Sequence, residues 1–393
     1  MTTIAPATSV DLPSSERTAA APVAVPWFLW AVAFASTSVM VGIIWDISWH
    51  RTIGRDTFWT PAHLAIYLGG AVAGLSCGWL VLQTTFGGSV RDRAAGVSFW
   101  GFRGPLGAWV CIWGSLAMIT SGPLDDWWHN AYGLDVKILS PPHAVLAAGI
   151  LSIQIGAMLM ALAQQNNARR GDRGSELPFV YAGGVFIVML ATLVTQEIAF
   201  ANAQHGNTFF IVSGVMFPIV LVGLARAARG PWGATTAAGV YMGVTMIMIW
   251  ILQLFPAQPM LAPILRQVDR MVPPPFPLLL VVAGLVIDLV IRRLPADARW
   301  VRQSATAVGA GLAGLVLFGI VQWYFAEFLL SPAARNVFFA ADQWDYNSRP
   351  GAWQYEFRTA PATWGGLGLA AAITAGSSLG GLVWGNWMRR VRR

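Results

Sequence analysis

Long hydrophobic runs alternate with short polar or proline-containing segments along this chain of 393 residues. A helix needs about 20 apolar residues to cross a hydrocarbon layer about 30 Å thick. About ten runs reach that length: 26–48, 61–85, 105–124, 141–164, 178–201, 207–226, 233–255, 274–294, 304–330 and 365–387. The pattern predicts an all-α fold, a polytopic transmembrane helical bundle of about ten spans.

Composition supports a membrane protein, because 56% of the residues are hydrophobic and only 11% are charged. A soluble domain carries about 25% charged residues. With an even number of spans, most Lys and Arg fall in the two tails and the even-numbered loops, so the N and C termini are expected to be cytoplasmic. The predicted location is a bacterial inner membrane. The net charge of +7 is spread among loops, which indicates topology and no nucleic-acid partner.

The chain divides into three regions by composition. Residues 1–25 are small, polar and proline-rich, and are expected to form a disordered cytoplasmic tail. Residues 26–226 would supply about six spans, and 227–393 about four, with a long outer loop at 331–364. The chain's two cysteines, Cys77 and Cys111, fall within spans, where buried packing is expected.

Histidine is rare, with five in the chain, and four of the five form a duplicated pattern. In each copy an aspartate precedes a histidine by four residues, and a second histidine follows 13 or 14 residues later. The two copies are Asp46, His50 and His63, then Asp125, His129 and His143. All six lie where a hydrophobic run meets an outer loop, so the metal sites are expected to face the periplasm.

The spacing within each copy suits metal binding. Residues four apart share one face of a helix. Thr60 and Ser140 are expected to be helix N-caps followed by proline, which places His63 and His143 in the first turn of the returning helix. Each hairpin then supplies two imidazoles and one carboxylate and leaves coordination positions open. Such a set fits Cu(II), Zn(II) or Fe(II), and ligand type does not choose among them.

Other residues near the pattern have weaker expected roles. Arg55, Asp56 and Asp126 are close enough in sequence to orient the ligands. Glu197 and His205, in the next outer loop, are candidates for a further ligand pair. The alternatives are that the histidines are solvated at loop edges, or that they bind haem as a pair.

The stretch from Arg55 to His63 reads RDTFWTPAH and resembles the RDTxxTPxH signature of the C subunit of copper membrane monooxygenases, the particulate methane and ammonia monooxygenases. The resemblance covers about residues 26–165. It implies that Asp46, His50 and His63 bind copper. His129 and His143 match the family's second site, with Asp125 where the family has asparagine.

The resemblance implies a membrane subunit of a copper-dependent monooxygenase complex. Such a complex hydroxylates a small apolar substrate, an alkane, alkene or ammonia-like molecule, with O2. Asp46, His50 and His63 would be its catalytic residues. The implied partners are the lipid bilayer, A- and B-like subunits or further copies of the chain, and an external electron donor such as quinol, so activity in isolation is not expected. The alternatives are a non-enzymatic membrane protein that handles copper or zinc, and a structural assembly subunit.

Overall fold

The computed structural model of the protein describes residues 25–90, 93, 96–133, 140–168, 175–261, 268–295, 298–341 and 355–392. The predicted tail up to residue 24, and residues 342–354 of the predicted outer loop, lie outside these ranges. Ten helices in the described ranges have 12 residues or more: α1 (Trp27–Thr52), α2 (Pro61–Leu82), α3 (Leu106–Tyr132), α4 (Pro141–Asn167), α5 (Leu177–Leu193), α6 (Asn207–Ala227), α7 (Gly233–Leu252), α8 (Leu280–Ile291), α9 (Trp300–Leu330) and α10 (Trp364–Met388).

Eight of these helices are long and apolar enough to cross a membrane. The other two, α5 with 17 residues and α8 with 12, are shorter. The predicted all-α membrane bundle is therefore confirmed as a multi-pass helical fold. Helices α1 and α2 pack as one hairpin and α3 and α4 as another, with α2 against α3. Both hairpins place their histidines, His50, His63, His129 and His143, at one end of the bundle, called here the histidine end.

Helices α3 and α4 approach closely where two glycines face each other. A Cβ atom on Gly114 would lie 2.7 Å from the carbonyl oxygen of Gly149, and one on Gly149 would lie 2.8 Å from that of Gly114. Small residues at such crossings let membrane helices pack backbone against backbone. The crossing fixes the register of α3 against α4, and hence the height at which their polar side chains meet.

Two predicted spans are shorter helices than expected. Helix α5 ends at Leu193, and a single helical turn, Thr195–Ile198, follows. The predicted span 274–294 is helical only from Leu280, because prolines at 273–275 and 277 lack the N–H that a helix requires. The extended segment 272–278 is buried.

Side chains satisfy the backbone of this extended proline segment. The N–H of Val272 donates to Thr52 Oγ1 at 2.9 Å, and Tyr241 donates to the carbonyl of Pro277 at 3.1 Å. The N–H of Leu279 donates to Gln322 Oε1 at 3.1 Å. Irregular backbone is tolerated at membrane depth where protein surrounds it in this way.

A small β-hairpin, absent from the sequence-based prediction, links α2 to α3. Strand β1 (Val97–Phe99) pairs antiparallel with β2 (Phe102–Gly104). The two turn residues, Trp100 and Gly101, have φ of 46° and 82°, as tight hairpin turns require. Before it, residues Gln83–Gly87 form a π-helical turn at the end of α2.

Candidate metal centre

The loop between α1 and α2 is held in place at both ends. The indole Nε1 of Trp49 donates to the carbonyl of Arg55 at 3.2 Å. Thr60 takes the N-cap position before Pro61, as predicted, but its hydroxyl accepts from the N–H of Thr57 at 2.8 Å and does not cap the helix. The loop therefore folds back over the ends of both helices.

Four side chains from this hairpin meet, and we call them the first cluster: Asp46, His50, Asp56 and His63. The Nε2 atom of His63 lies 3.2 Å from Asp46 Oδ1 and 3.0 Å from Asp56 Oδ2. The Nε2 atom of His50 lies 3.7 Å from Asp46 Oδ2 and 3.4 Å from Asp56 Oδ2. Both carboxylates thus contact both imidazoles through the nitrogen that a metal would use.

The electrostatics of the first cluster favour an ionised Asp56 carboxylate. Burial acts to raise the pKa of Asp56, but hydrogen bonds and positive charge from His50 and His63 outweigh it and hold that pKa well below 3.8. Asp46 Oδ1 is buried, and Nε2 of His63 lies 3.2 Å from it. A buried carboxylate oxygen carries a desolvation cost, which a bound cation would offset.

The second copy of the pattern forms the second cluster, Asp125, His129 and His143, across the ends of α3 and α4. The Nε2 atoms of His129 and His143 lie 3.7 and 3.8 Å from Asp125 Oδ1. Ser140 caps α4 as predicted, and its hydroxyl also lies 3.1 Å from Nδ1 of His143. That contact leaves Nε2 of His143 directed toward Asp125.

Aromatic side chains stand between the two clusters. The ring of Phe58 packs on Tyr67, with centroids 5.1 Å apart. A Cβ atom on Gly122 of α3, one turn before Asp125, would lie 3.5 Å from the Phe58 ring. Tyr67 is close enough to Asp46, Asp56 and Asp125 to interact electrostatically with all three. The first hairpin therefore lies directly against the second cluster.

The remaining predicted residues lie elsewhere. Asp126 is exposed and accepts from Asn130 Nδ2 at 3.4 Å, and the side chain of Arg55 is exposed. Glu197 is exposed too.

His205 is 3% exposed, its Nε2 lies 2.5 Å from the carbonyl oxygen of Thr359, and its ring packs against Phe357 and Trp323. These contacts of His205 join the segment before α10 to the loop before α6.

Three residues of the first cluster have the spacing of a metal site. Asp46, His50 and Asp56 each offer a donor atom, and these atoms lie within 4.8 Å of one another. Two ligands bound to one metal at about 2.0–2.1 Å with a tetrahedral angle are about 3.4 Å apart. The contacts of 3.0–3.7 Å in the first cluster bracket that separation. The arrangement suits a cation held by carboxylate oxygen and imidazole nitrogen.

Sequence reasoning assigned Asp56 a supporting role, and its direct contact with both imidazoles was missed. The only available signal was its position four residues before Thr60, in a loop that must return to α2.

In comparisons with known proteins, no family model, curated protein or solved structure matches the chain.

Proposed function

We propose that the histidine end of this membrane protein holds copper and serves a monooxygenase-like complex. The observation that carries the proposal is the first cluster, in which two carboxylates and two imidazoles meet at the mouth of one helical hairpin. Ionisable groups at the edge of a bilayer are costly unless they are paired or bound to metal. The resemblance of residues 55–63 to the C subunit of copper membrane monooxygenases selects copper among the metals this donor set accepts.

The chain's own side chains would hold and shield the ion. His50 and His63 supply imidazole nitrogen, and Asp46 and Asp56 supply negative charge that offsets the charge of the cation. Copper bound there would supply the redox chemistry with O2. The aromatic wall of Phe58 next to Tyr67 presents an apolar surface beside the site, which suits a small apolar substrate arriving from the membrane.

The proposal extends to location and partners. The histidine end would face the periplasm of a bacterial inner membrane, and electrons would come from outside the chain, with quinol as the natural membrane donor. Subunits of A- and B-like type would complete the complex.

Replacing His50 and His63 with alanine tests the proposal in cells that carry the gene and oxidise a small alkane, alkene or ammonia. The double variant should lose the oxidation while the protein stays in the membrane. A matched variant, His205→Gln, alters a histidine that packs outside both clusters and should keep most of the activity. Oxidation that persists in the double variant at the wild-type rate would overturn the enzymatic assignment.

One observation favours a second candidate, a membrane protein that holds or transfers copper or zinc without oxidising anything. With Asp56 counted, the first cluster offers four donor side chains, and closed four-ligand sites are typical of metal retention. Deleting the gene would then change the copper or zinc content of the cell without changing any oxidation. If the monooxygenase proposal is correct, deleting the gene abolishes the oxidation.

A further inference from the structure

Three sulfur-containing side chains from three helices meet at the end of the bundle opposite the histidine end. The Sγ atom of Cys77 in α2 lies 3.9 Å from the Sδ atom of Met160 in α4. The thiol of Cys111 in α3 lies against Gly156, one helical turn before Met160 in α4, and it interacts electrostatically with Cys77. We call Cys77, Cys111 and Met160 the sulfur cluster. Both thiols are free and both cysteines are 0% exposed.

Local packing makes room for this arrangement. A Cβ atom on Gly156 of α4 would lie 2.5 Å from the Sγ atom of Cys111, so no larger residue fits there unless the sulfur moves. The same thiol donates to the carbonyl of Ile153 at 3.7 Å. The two cysteines are the only ones in the chain and are 34 residues apart, yet the helix register brings them together beside a thioether.

A cavity beside the sulfur cluster reaches Met160. It has a volume of about 590 Å³, and Met160 forms part of its wall. Polar side chains line its mouth: Gln83, Thr84, Gln164, Asn167 and Arg392. The π-helical turn Gln83–Gly87 borders it, and such turns are frequent at functional sites. A small ion could therefore reach Met160 without crossing the bundle.

We propose that Cys77, Cys111 and Met160 form a binding site for Cu(I) that is separate from the histidine end. Thiolate and thioether sulfur are soft ligands that select Cu(I) over harder cations. With metal–sulfur bonds of about 2.3 Å, two sulfurs of a trigonal site are about 4 Å apart, close to the 3.9 Å between Cys77 and Met160.

The binding step balances without an oxidant. The S–H bonds of Cys77 and Cys111 break, the two thiolates and the Met160 thioether form copper–sulfur bonds, and two protons are released to solvent. Copper enters and stays as Cu(I), so no electron is transferred.

Distance separates this site from the first and second clusters. Cys111 and Asp125 are 14 residues apart on α3, or about 21 Å along the helix at 1.5 Å per residue. Met118, 5% exposed, lies midway on nearly the same face of α3. The Cu(I) site thus does not depend on the proposed monooxygenase function, and each can fail alone.

The test uses the full chain purified in detergent without oxygen, in a background in which His50, His63, His129 and His143 are alanine. Cu(I) is titrated against a chromophoric Cu(I) chelator, and X-ray absorption identifies the ligand atoms. We expect one tightly bound Cu(I) with a shell of sulfur only. Adding Cys77→Ser and Cys111→Ser should weaken that binding by more than about 100-fold, since even supporting residues change metal affinity by 10–100-fold.

Met160→Leu conserves the volume of the side chain, so it provides a second test if the serine variants do not fold. This substitution should also weaken Cu(I) binding. Met158→Leu alters a neighbouring buried methionine and is the matched control. The proposal is overturned if the four-alanine protein with free thiols binds no Cu(I), or if Met160→Leu and Met158→Leu bind it equally. A wild-type mass lower by two hydrogen atoms, showing a Cys77–Cys111 disulfide, would overturn it as well.

Discussion

The Nε2 atom of His63 lies 3.0 Å from Asp56 Oδ2, closer than the 3.2 Å that separates it from Asp46 Oδ1. Asp56 comes from the loop, whereas Asp46 comes from helix α1. The first cluster therefore draws its charge from two independent backbone elements. The second cluster has one carboxylate, Asp125, and longer contacts of 3.7–3.8 Å. The two copies of the pattern are not equivalent, and the first should bind a divalent cation more tightly.

Asp56→Asn should weaken metal binding at the first cluster by about 10- to 100-fold, because it removes a negative charge in contact with both imidazoles. The measurement is a competition titration with Cu(II) or Zn(II) and a chelating dye, in a background with His129 and His143 replaced by alanine. Asp126→Asn is the matched control and should change nothing, because Asp126 is exposed and contacts Asn130 of its own helix. Equal affinities for the two variants would show that Asp56 has no part in binding.

Ser140→Ala should weaken metal binding at the second cluster by about tenfold, because the hydroxyl at 3.1 Å from Nδ1 sets the orientation of the His143 ring. Loss of the N-cap should also destabilise the start of α4 by about 1 kcal/mol. The titration is repeated in a background with His50 and His63 replaced by alanine.

Ser152→Ala is the control for this change. Ser152 lies in the same helix and donates only to the carbonyl of Ala148 at 2.8 Å. If Ser140→Ala leaves copper or zinc affinity equal to that of Ser152→Ala, the capping serine does not orient a ligand.

The stability of the metal-free protein should depend on pH through Asp56. Its pKa in the folded protein is lowered from 3.8 by the two histidines, so the unfolded chain binds more protons near pH 4. The stability that Asp56 contributes is therefore present above about pH 4 and is lost as pH falls through the folded pKa. In the presence of a chelator, the unfolding temperature of wild type should be higher than that of Asp56→Asn at about pH 6. The difference between the two unfolding temperatures should shrink in stronger acid. A difference in unfolding temperature that grows as the pH falls would contradict this prediction.

The helical fold was predictable because spans are a property of length and apolar content alone. The late start of α8 has a clear physical origin. The prolines in 272–278 stand among apolar residues, but they lack the N–H groups that a helix requires. The hydropathy pattern therefore predicted a span where the structure has a buried extended segment.

The convergence of Asp46, His50 and His63 followed from helical spacing, because a hairpin must bring its two ends together. The role of Asp56 did not follow, since it depends on the loop conformation that Trp49 fixes through the Arg55 carbonyl. The proximity of Cys77 and Cys111 could not be predicted from the sequence either. It depends on the register of α2 against α3, which is set by packing and has no periodic signal.

Gly149→Ala should destabilise the protein by about 1–3 kcal/mol, the usual effect of overpacking. The added methyl group would lie 2.8 Å from the carbonyl of Gly114 and 3.0 Å from the N–H nitrogen of Met118. Separation of α3 from α4 should also lower metal affinity at the second cluster more than at the first. Gly309→Ala, where a Cβ meets nothing within 4 Å, is the control. Unfolding temperatures that match for the two variants would show that the crossing is loose.

Asp288→Asn should lower stability and leave metal binding unchanged. This carboxylate is 2% exposed and lies inside the bundle, where an ionisable group often marks an ion path. Its oxygens are already engaged at the N-terminus of α7, by the N–H groups of Ala234 and Thr235 at 3.2 and 2.7 Å and by the Thr235 hydroxyl at 2.7 Å. An amide accepts fewer of these bonds and carries no charge to offset the helix dipole.

The expected loss for Asp288→Asn is about 1–3 kcal/mol, measured as a lower unfolding temperature in detergent. Asp269→Asn, in an exposed loop, is the control and should unfold like wild type. Metal titrations of both clusters should match wild type for both variants, because Asp288 lies in α8 and contacts neither cluster. A stable Asp288→Asn protein with weakened copper or zinc binding would mean that the carboxylate is part of a metal path, and its assignment as a helix cap would be wrong.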